Sequence, residues 1–460
     1  MKLLCKESDS GKRMMMLCLM AALIMEFLFI TLESQFSYLG YYLTEDYIIV
    51  PALLFLGCGL GRQRDAFSGR RLLLAGTTIS WFVLVQIIHK LSGIDTHPIG
   101  TVFFVYLMAF PFASVSEDRE NLGLGWIGGM FLTASLVLVG YAVIMLLDLV
   151  PSVWAEYLYW DGARLHVFWH PNISACFFML GIGFAAMFMT RSGKRWVKAL
   201  LAVTIAVQFV AMALTNCRTT LLMTGALLGG ILFFGICGKG GWKRIVLGLL
   251  AAALVLVGSF KISSAMYQAN NDRIVANILE QEMQQEDTSE KEVIEAITSN
   301  NLEGDTIIRG ANGQGTLAND MRTLNGRTNI WKAVLSAVMD SKALMLFGTE
   351  YAGTVISAYG PYDVVHSHNA WLESLMRTGL PGLLLSLVFT VLSAWSAAKL
   401  LLNRSVELWK KIVAMMTMCL MATGFLEPYL FITNVYYHVT DFAFFFLTGY
   451  LDYWTNRKKI

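Results

Sequence analysis

Hydrophobic residues along this chain come in long, nearly unbroken runs, without the short periods that mark half-buried strands or helices. A helix needs about 20 mostly apolar residues to cross the hydrocarbon core of a membrane. Runs of that length, or close to it, cover residues 14–32, 41–60, 72–88, 99–115, 122–149, 173–189, 197–214, 219–237, 245–260, 380–398, 412–431 and 439–454. They predict an all-α polytopic membrane protein with about twelve transmembrane helices. The second run is the weakest, since Glu45, Asp46 and Pro51 fall inside it. The first is too long for a signal peptide and has no small-residue cleavage site, so it is expected to be a retained anchor.

Basic residues of short loops stay on the cytoplasmic side. With the N-terminus inside, 23 of the 35 Lys and Arg fall in cytoplasmic segments, among them Lys12, Arg62, Arg71, Arg191, Arg195, Lys243, Arg404 and Lys411. Of the remainder, eight lie between Ile262 and Arg377 in one long loop, and only the turn SVSEDREN after the fourth run goes against the rule. Both termini are therefore expected in the cytoplasm. The division predicted is residues 1–260 with helices one to nine, 261–379 as a large extracytoplasmic loop with short helices, and 380–460 with helices ten to twelve.

That loop holds fifteen acidic and eight basic residues between Ile262 and Arg377 and no cysteine. A structureless connection of such length is improbable. NILEQEMQQEDTSEKEVIEAI reads equally as an acidic helix or as a solvated, disordered insertion. RTNIWKAVLSAVMD sets Ile330, Trp331, Val334, Leu335 and Val338 on one helical stripe. The two halves of the chain show no internal repeat, which counts against a carrier built from related halves.

Composition agrees with the membrane reading. The chain is 56% hydrophobic and 15% charged, where a soluble domain carries about 25% charged residues. A formal charge of +2 gives no reason to expect a nucleic-acid partner. Seven cysteines show no CxxC and no histidine at metal-ligand spacing, so disulfide scaffolds and zinc modules are excluded.

Candidate chemistry gathers at span ends predicted to face outward. Arg218, in TNCRTT, opens the eighth run. It reads as a snorkelling interfacial arginine or as a clamp for a lipid phosphate, which guanidinium holds bidentately. Gly225 and Gly229 form a GxxxG, more often helix packing than function. Arg164 lies in ARLHVFWHPNISA; Pro171 and Asn172 suit a helix start, and His166 and His170 flank an aromatic pair of the kind found in interfacial belts. Arg327 opens the RTNIW helix, where a solvated arginine is the plain alternative.

His368 is the sharpest position. In HSHNAWLESLMRTGLPGLLL, Trp371, Leu372, Leu375 and Met376 make an apolar stripe, Gly379 suits the helix end and Pro381 the first turn of the next span. His368 then sits at a helix N-terminus, whose partial positive charge favours a neutral imidazole. A neutral imidazole is the form that takes a proton from a hydroxyl. The alternative is a cap or a hydrogen-bonded interfacial residue.

Together these segments resemble the O-antigen ligase and polymerase superfamily, multi-span bacterial enzymes with one large outer loop late in the chain. HNAWLESLMRTGLPG fits that family's HN-x-x-L signature followed by Gly-x-x-Gly. GRTNIW and CRTT are similar to its arginine-bearing segments. ARLHVFWHPN is similar to a segment ending in Pro-Asn, but His166 stands where the family commonly has glycine. Glu280 to Glu295 has no counterpart there and reads as an insertion. The resemblance implies glycan transfer from undecaprenyl diphosphate to an acceptor hydroxyl of a glycan, lipid or wall polymer, at the outer face of the bacterial plasma membrane. It implies Arg218 and Arg327, with Arg164, on the diphosphate and His368 as general base, with Asn369, Thr219 and Asn172 supporting. No cofactor is expected, and no DxD or other acidic metal pair stands out in the loop. The expected reaction is metal-independent and inverting.

Within the family, ligase and polymerase differ only in acceptor. A peptidoglycan polymerase of the shape, elongation and division type would lean on an outer-loop aspartate, for which Asp305, Asp320, Asp340 and Asp363 are available without a motif. A flippase or transporter for lipid-linked sugars would want charges at mid-membrane depth; Glu26, Glu427 and Asp441 are its candidates, with Glu427–Pro428 as a possible break in a helix.

Overall fold

The computed structural model describes residues 70–93, 122–146, 160–161, 164–165, 171–237, 241–285, 327–349, 351–360, 366–428, 430 and 438–456. The runs at 14–32, 41–60 and 99–115, the SVSEDREN turn, both termini and most of the acidic insertion lie outside the described residues. The helices in chain order are α1 (Arg70–Leu91), α2 (Leu122–Leu146), α3 (Pro171–Arg191), α4 (Arg195–Leu214), α5 (Arg218–Cys237), α6 (Trp242–Gln285), α7 (Arg327–Asp340), α8 (Lys342–Phe347), α9 (Ala352–Tyr359), α10 (Ala370–Leu402), α11 (Leu408–Gly424) and α12 (His438–Asn456). One antiparallel pair of two-residue strands, β1 (Trp160–Asp161) and β2 (Arg164–Leu165), sets Asp161 opposite Arg164.

Six of these helices are long and apolar enough to cross a membrane: α2 to α6 and α10. In α6 the apolar stretch Trp242–Met266 runs past Phe260, where the ninth span was expected to end. The helix itself continues to Gln285 and takes in the start of the acidic segment. No glycine or proline interrupts residues 259–285, so nothing local stops the hydrogen-bond ladder at the end of the apolar run.

The chain divides into two compact units. One comprises Ser135–Ala185 and Lys194–Thr328. Here the GxxxG of α5 does what packing predicts. A Cβ on Gly229 would stand 2.9 Å from the Ala252 carbonyl oxygen, and one on Gly225 would stand 2.9 Å from Leu256 Cδ1. Small residues thus let the α5 and α6 backbones approach closely. In α4, Leu201, Thr204, Gln208, Ala211 and Met212 form the buried face. A Cβ on Gly181 of α3 would collide with the Gln208 side-chain oxygen and the Ser135 hydroxyl, so glycine leaves room there for buried polar groups.

The other unit comprises Met1–Ala134, Ala186–Gly193 and Asn329–Ile460. Its centre is α10, which is two helices joined by a break. Gly379 has φ 71° and ψ −172°, a conformation essentially restricted to glycine. Proline at 381 lacks the N–H that would continue the ladder. The segment Ala370–Thr378 ahead of the break carries a small apolar core shared with α7, α8 and α9, built from Ile330, Val334, Val338, Leu344, Ile356 and Met376 among others. The α7 stripe is turned slightly from the expected one. Ile330, Val334 and Val338 are buried together with Ala333 and Ala337, while Leu335 faces outward and is 48% exposed. The alanines win because they let α7 lie close against its neighbours. Beyond the break, α10 packs on α12 through Phe389 against Phe445 and through a hydrogen bond between Ser393 and Thr448, 2.8 Å.

Candidate functional site

The HSHN segment is held by hydrogen bonds on both sides of His368. Asn369 is the N-cap of α10, its side-chain oxygen accepting from the Trp371 and Leu372 N–H groups at 3.1 and 3.0 Å. Its amide nitrogen donates to the Phe425 carbonyl at the end of α11, 3.1 Å. One residue earlier than His368, the Ser367 N–H donates to Glu373 at 2.7 Å and the Ser367 hydroxyl to the Asn369 carbonyl at 2.9 Å. The Ser367 carbonyl accepts from the indole N–H of Trp331 in α7, 3.1 Å. Glu373 is fully buried, and its second oxygen accepts from Arg377 at 2.7 Å, so its charge is met by a backbone donor and a guanidinium.

These bonds hold His368 at φ 52°, in a left-handed conformation that costs a residue with a Cβ about 1 kcal/mol or more. Because Asn369 caps the helix, His368 is not the cap. Its ring is partly exposed, with Nδ1 3.7 Å from the buried Glu427 carboxylate. The ring also stands edge-on to His366, with centroids 4.2 Å apart. The contact is longer than a hydrogen bond, but the charge of a carboxylate on that side favours the tautomer with the hydrogen on Nδ1 and Nε2 as the acceptor.

Glu427 is the neighbour of His368 that the sequence does not reveal. It lies just past the end of α11, where its N–H donates to the Thr423 carbonyl, 3.0 Å. Its side chain belongs to the His368 cluster. Glu427–Pro428 was the available signal, but nothing in the chain pairs it with a histidine 59 positions earlier.

Asn369→Ala removes two capping bonds and the tie to Phe425. A lost N-cap costs about 1 kcal/mol. The expected result is a modest fall in thermal stability of the purified protein with a larger fall in activity, because the cap adjoins His368; equal losses in both would reduce Asn369 to a structural cap.

The arginine-bearing segments are ordered locally. Asn216, at φ 48°, turns the chain between α4 and α5, in a conformation asparagine tolerates. The Thr215 hydroxyl accepts from the Cys217 N–H at 3.3 Å, and Arg218, half-buried, is the first residue of α5, followed by half-buried Thr219. Asn172 is buried in the first turn of α3, after Pro171 at its first position. Arg164 is in β2, while His166 and His170 lie outside the described residues. Arg327 is the first residue of α7, half-buried and one turn before Trp331. Ser367, His368, Asn369, Glu373, Glu427 and Trp331 make one cluster. Arg164, Asn172, Arg218 and Thr219 belong to the unit described separately. Of the loop aspartates, Asp340 closes α7 with an exposed side chain and the other three lie outside the described residues.

No curated protein matches this chain. Residues 201–387 match the O-antigen ligase family model, a segment that includes Arg218, Arg327 and the whole HSHN helix but not Arg164. The match supports membrane glycan transfer of the ligase or polymerase type. With the capped HN helix, its glycine break and these arginines inside the matched segment, residues 201–387 support a relationship of this chain to the O-antigen ligase superfamily.

Proposed function

We propose that this protein transfers a glycan from undecaprenyl diphosphate to an acceptor hydroxyl at the outer face of the bacterial plasma membrane. Twelve spans, cytoplasmic termini and the three-part division at 260 and 379 complete that topology. The observation carrying the reading is that His368, inside the matched segment, stands beside the buried carboxylate of Glu427, which lies beyond that segment.

Nε2 of His368 takes the acceptor's proton as its oxygen attacks the anomeric carbon, and Glu427 stabilises the imidazolium that forms. The bond from the anomeric carbon to the diphosphate breaks, with inversion. Arg218 and Arg327, with Arg164, neutralise the departing diphosphate, a task arginines perform without a metal. The N-terminus of α5 adds N–H groups beside Arg218. Thr219 and Asn172 support these arginines, and Asn369 supports His368.

Arg218→Ala is expected to lower kcat/KM for the carrier-linked donor by about 10²–10³-fold, the size of one lost charge-stabilising group. Arg218→Lys should recover only part, because an ammonium cannot bind bidentately. A lysine variant with full activity would leave Arg218 an interfacial anchor.

The reading is tested in the native host by sizing carrier-linked and surface glycan after the gene is disrupted. Long polymer stranded on the carrier, with little at the surface, is the expected result and identifies a ligase. Single repeats on both would identify a polymerase. Unchanged profiles would overturn glycan transfer and favour a carrier.

A further inference from the structure

The break in α10 leaves a backbone carbonyl that the helix itself cannot satisfy, and α1 supplies a donor to it and another to the end of α8 beside it. The indole N–H of Trp81 donates to the Thr378 carbonyl at 2.9 Å, across 297 positions of chain. Nε2 of His89 lies 3.1 Å from both the Phe347 and the Gly348 carbonyl oxygens, where α8 ends against the break. Both neighbours only accept, so Nε2 carries the hydrogen. The Trp81 ring also stacks on Phe347, with centroids 6.2 Å apart.

The two segments held in this way are in backbone contact. Gly348 and Gly379 both have φ near +70°. A Cβ on Gly348 would stand 2.5 Å from the Thr378 nitrogen, and one on Gly379 would stand 2.7 Å from the Phe347 nitrogen. The Thr349 N–H closes the junction by donating to the Met376 carbonyl, 2.7 Å. Sliding would break these bonds, and buried polar groups keep their partners. The helix whose start presents His368 is nine residues long from Ala370 to Thr378, so its far end is what α1 grips.

We propose that Trp81 and His89 are positioning residues for the transfer reaction: they lock the α8–α10 junction and thereby the direction in which the His368 helix points. This rests on His368 as general base, the reading given above, and extends the working parts of the enzyme beyond the segment that matches the family, which begins at residue 201. Neither residue touches substrate. Trp81 acts through the backbone of α10, and His89 through the end of α8 that packs against it.

The test uses full-length protein in lipid nanodiscs, with carrier-linked glycan extracted from a host lacking this protein as donor. His89→Leu and Trp81→Phe are expected to lower kcat about 10- to 100-fold, the scale of a small misplacement of a reacting group, with donor KM within about twofold of wild type. His89→Gln keeps an N–H near the Nε2 position and is expected to restore most of kcat. Hydrogen exchange at amides 370–378 should quicken in His89→Leu and Trp81→Phe and not in His89→Gln. Unchanged exchange there, or a glutamine variant as slow as leucine, would overturn the proposal. Transfer retained by His368→Ala would overturn the reading beneath it, and is told apart because His89→Leu would still quicken exchange.

Discussion

His368→Ala is expected to slow glycan transfer by about 10²–10⁴-fold, the range supplied by a positioned general base, with no loss of folded protein. The stability half follows from the structure. The side chain of His368 is partly exposed and caps nothing, since Asn369 supplies both capping bonds to α10. Alanine does not relieve the left-handed backbone at this position, so the strain is unchanged. The measurement is single-turnover transfer with saturating carrier-linked donor, beside a thermal melt of the same preparation. Glu427→Gln should give a smaller loss, because the histidine keeps a polar partner while the imidazolium loses its counter-charge. If His368→Ala transferred at the wild-type rate, the general-base role would be excluded and Glu427 would be left with a structural one.

Gly379→Ala and Gly348→Ala should abolish the folded yield or reduce it severely. Each glycine has a positive φ with ψ near 180° (Gly379 at 71°, −172°; Gly348 at 72°, −160°), a region costing other residues about 1–3 kcal/mol. Space adds a second penalty. The new methyl group of Gly379→Ala would meet the Leu346 carbonyl, and that of Gly348→Ala the Arg377 carbonyl carbon, at distances no Cβ tolerates. In both cases the obstacle is backbone, which cannot rotate away. Thr349 would lose its bond to Met376, and the α8–α10 junction would open. Gly258→Ala is the control, since a Cβ there meets nothing within 4 Å and helix propensity favours it by about 0.5–1 kcal/mol. Detergent-extracted yield and resistance to proteolysis, compared for the three variants, check the expectation. Normal yield for Gly379→Ala would mean that the break in α10 bends easily.

Local features were legible where the cause is local. Trp371, Leu372, Leu375 and Met376 mark the short helix by spacing, Asn369 its start and Gly379 with Pro381 its end, and each is where the chain's own chemistry demands it. The α7 stripe was legible except for Leu335, because whether a leucine or an alanine faces inward depends on how near the neighbour lies. Where α6 ends was not legible for a related reason: a helix stops where its backbone bonds stop, and α6 continues after its side chains turn polar.

By itself the sequence determined that the chain enters a membrane, that its spans are helical, and that an asparagine-capped helix with a histidine before it ends at a glycine break. Runs of apolar side chains, caps and breakers act over a few residues, and their effect can be read in order along the chain. Only the tertiary structure decided that Glu427 faces His368, that Trp331 holds Ser367, and that Trp81 and His89 satisfy the carbonyls at the break. Those pairings join residues far apart in the chain, and no local period encodes them. They arise because a buried polar group takes the partner that folding brings within reach.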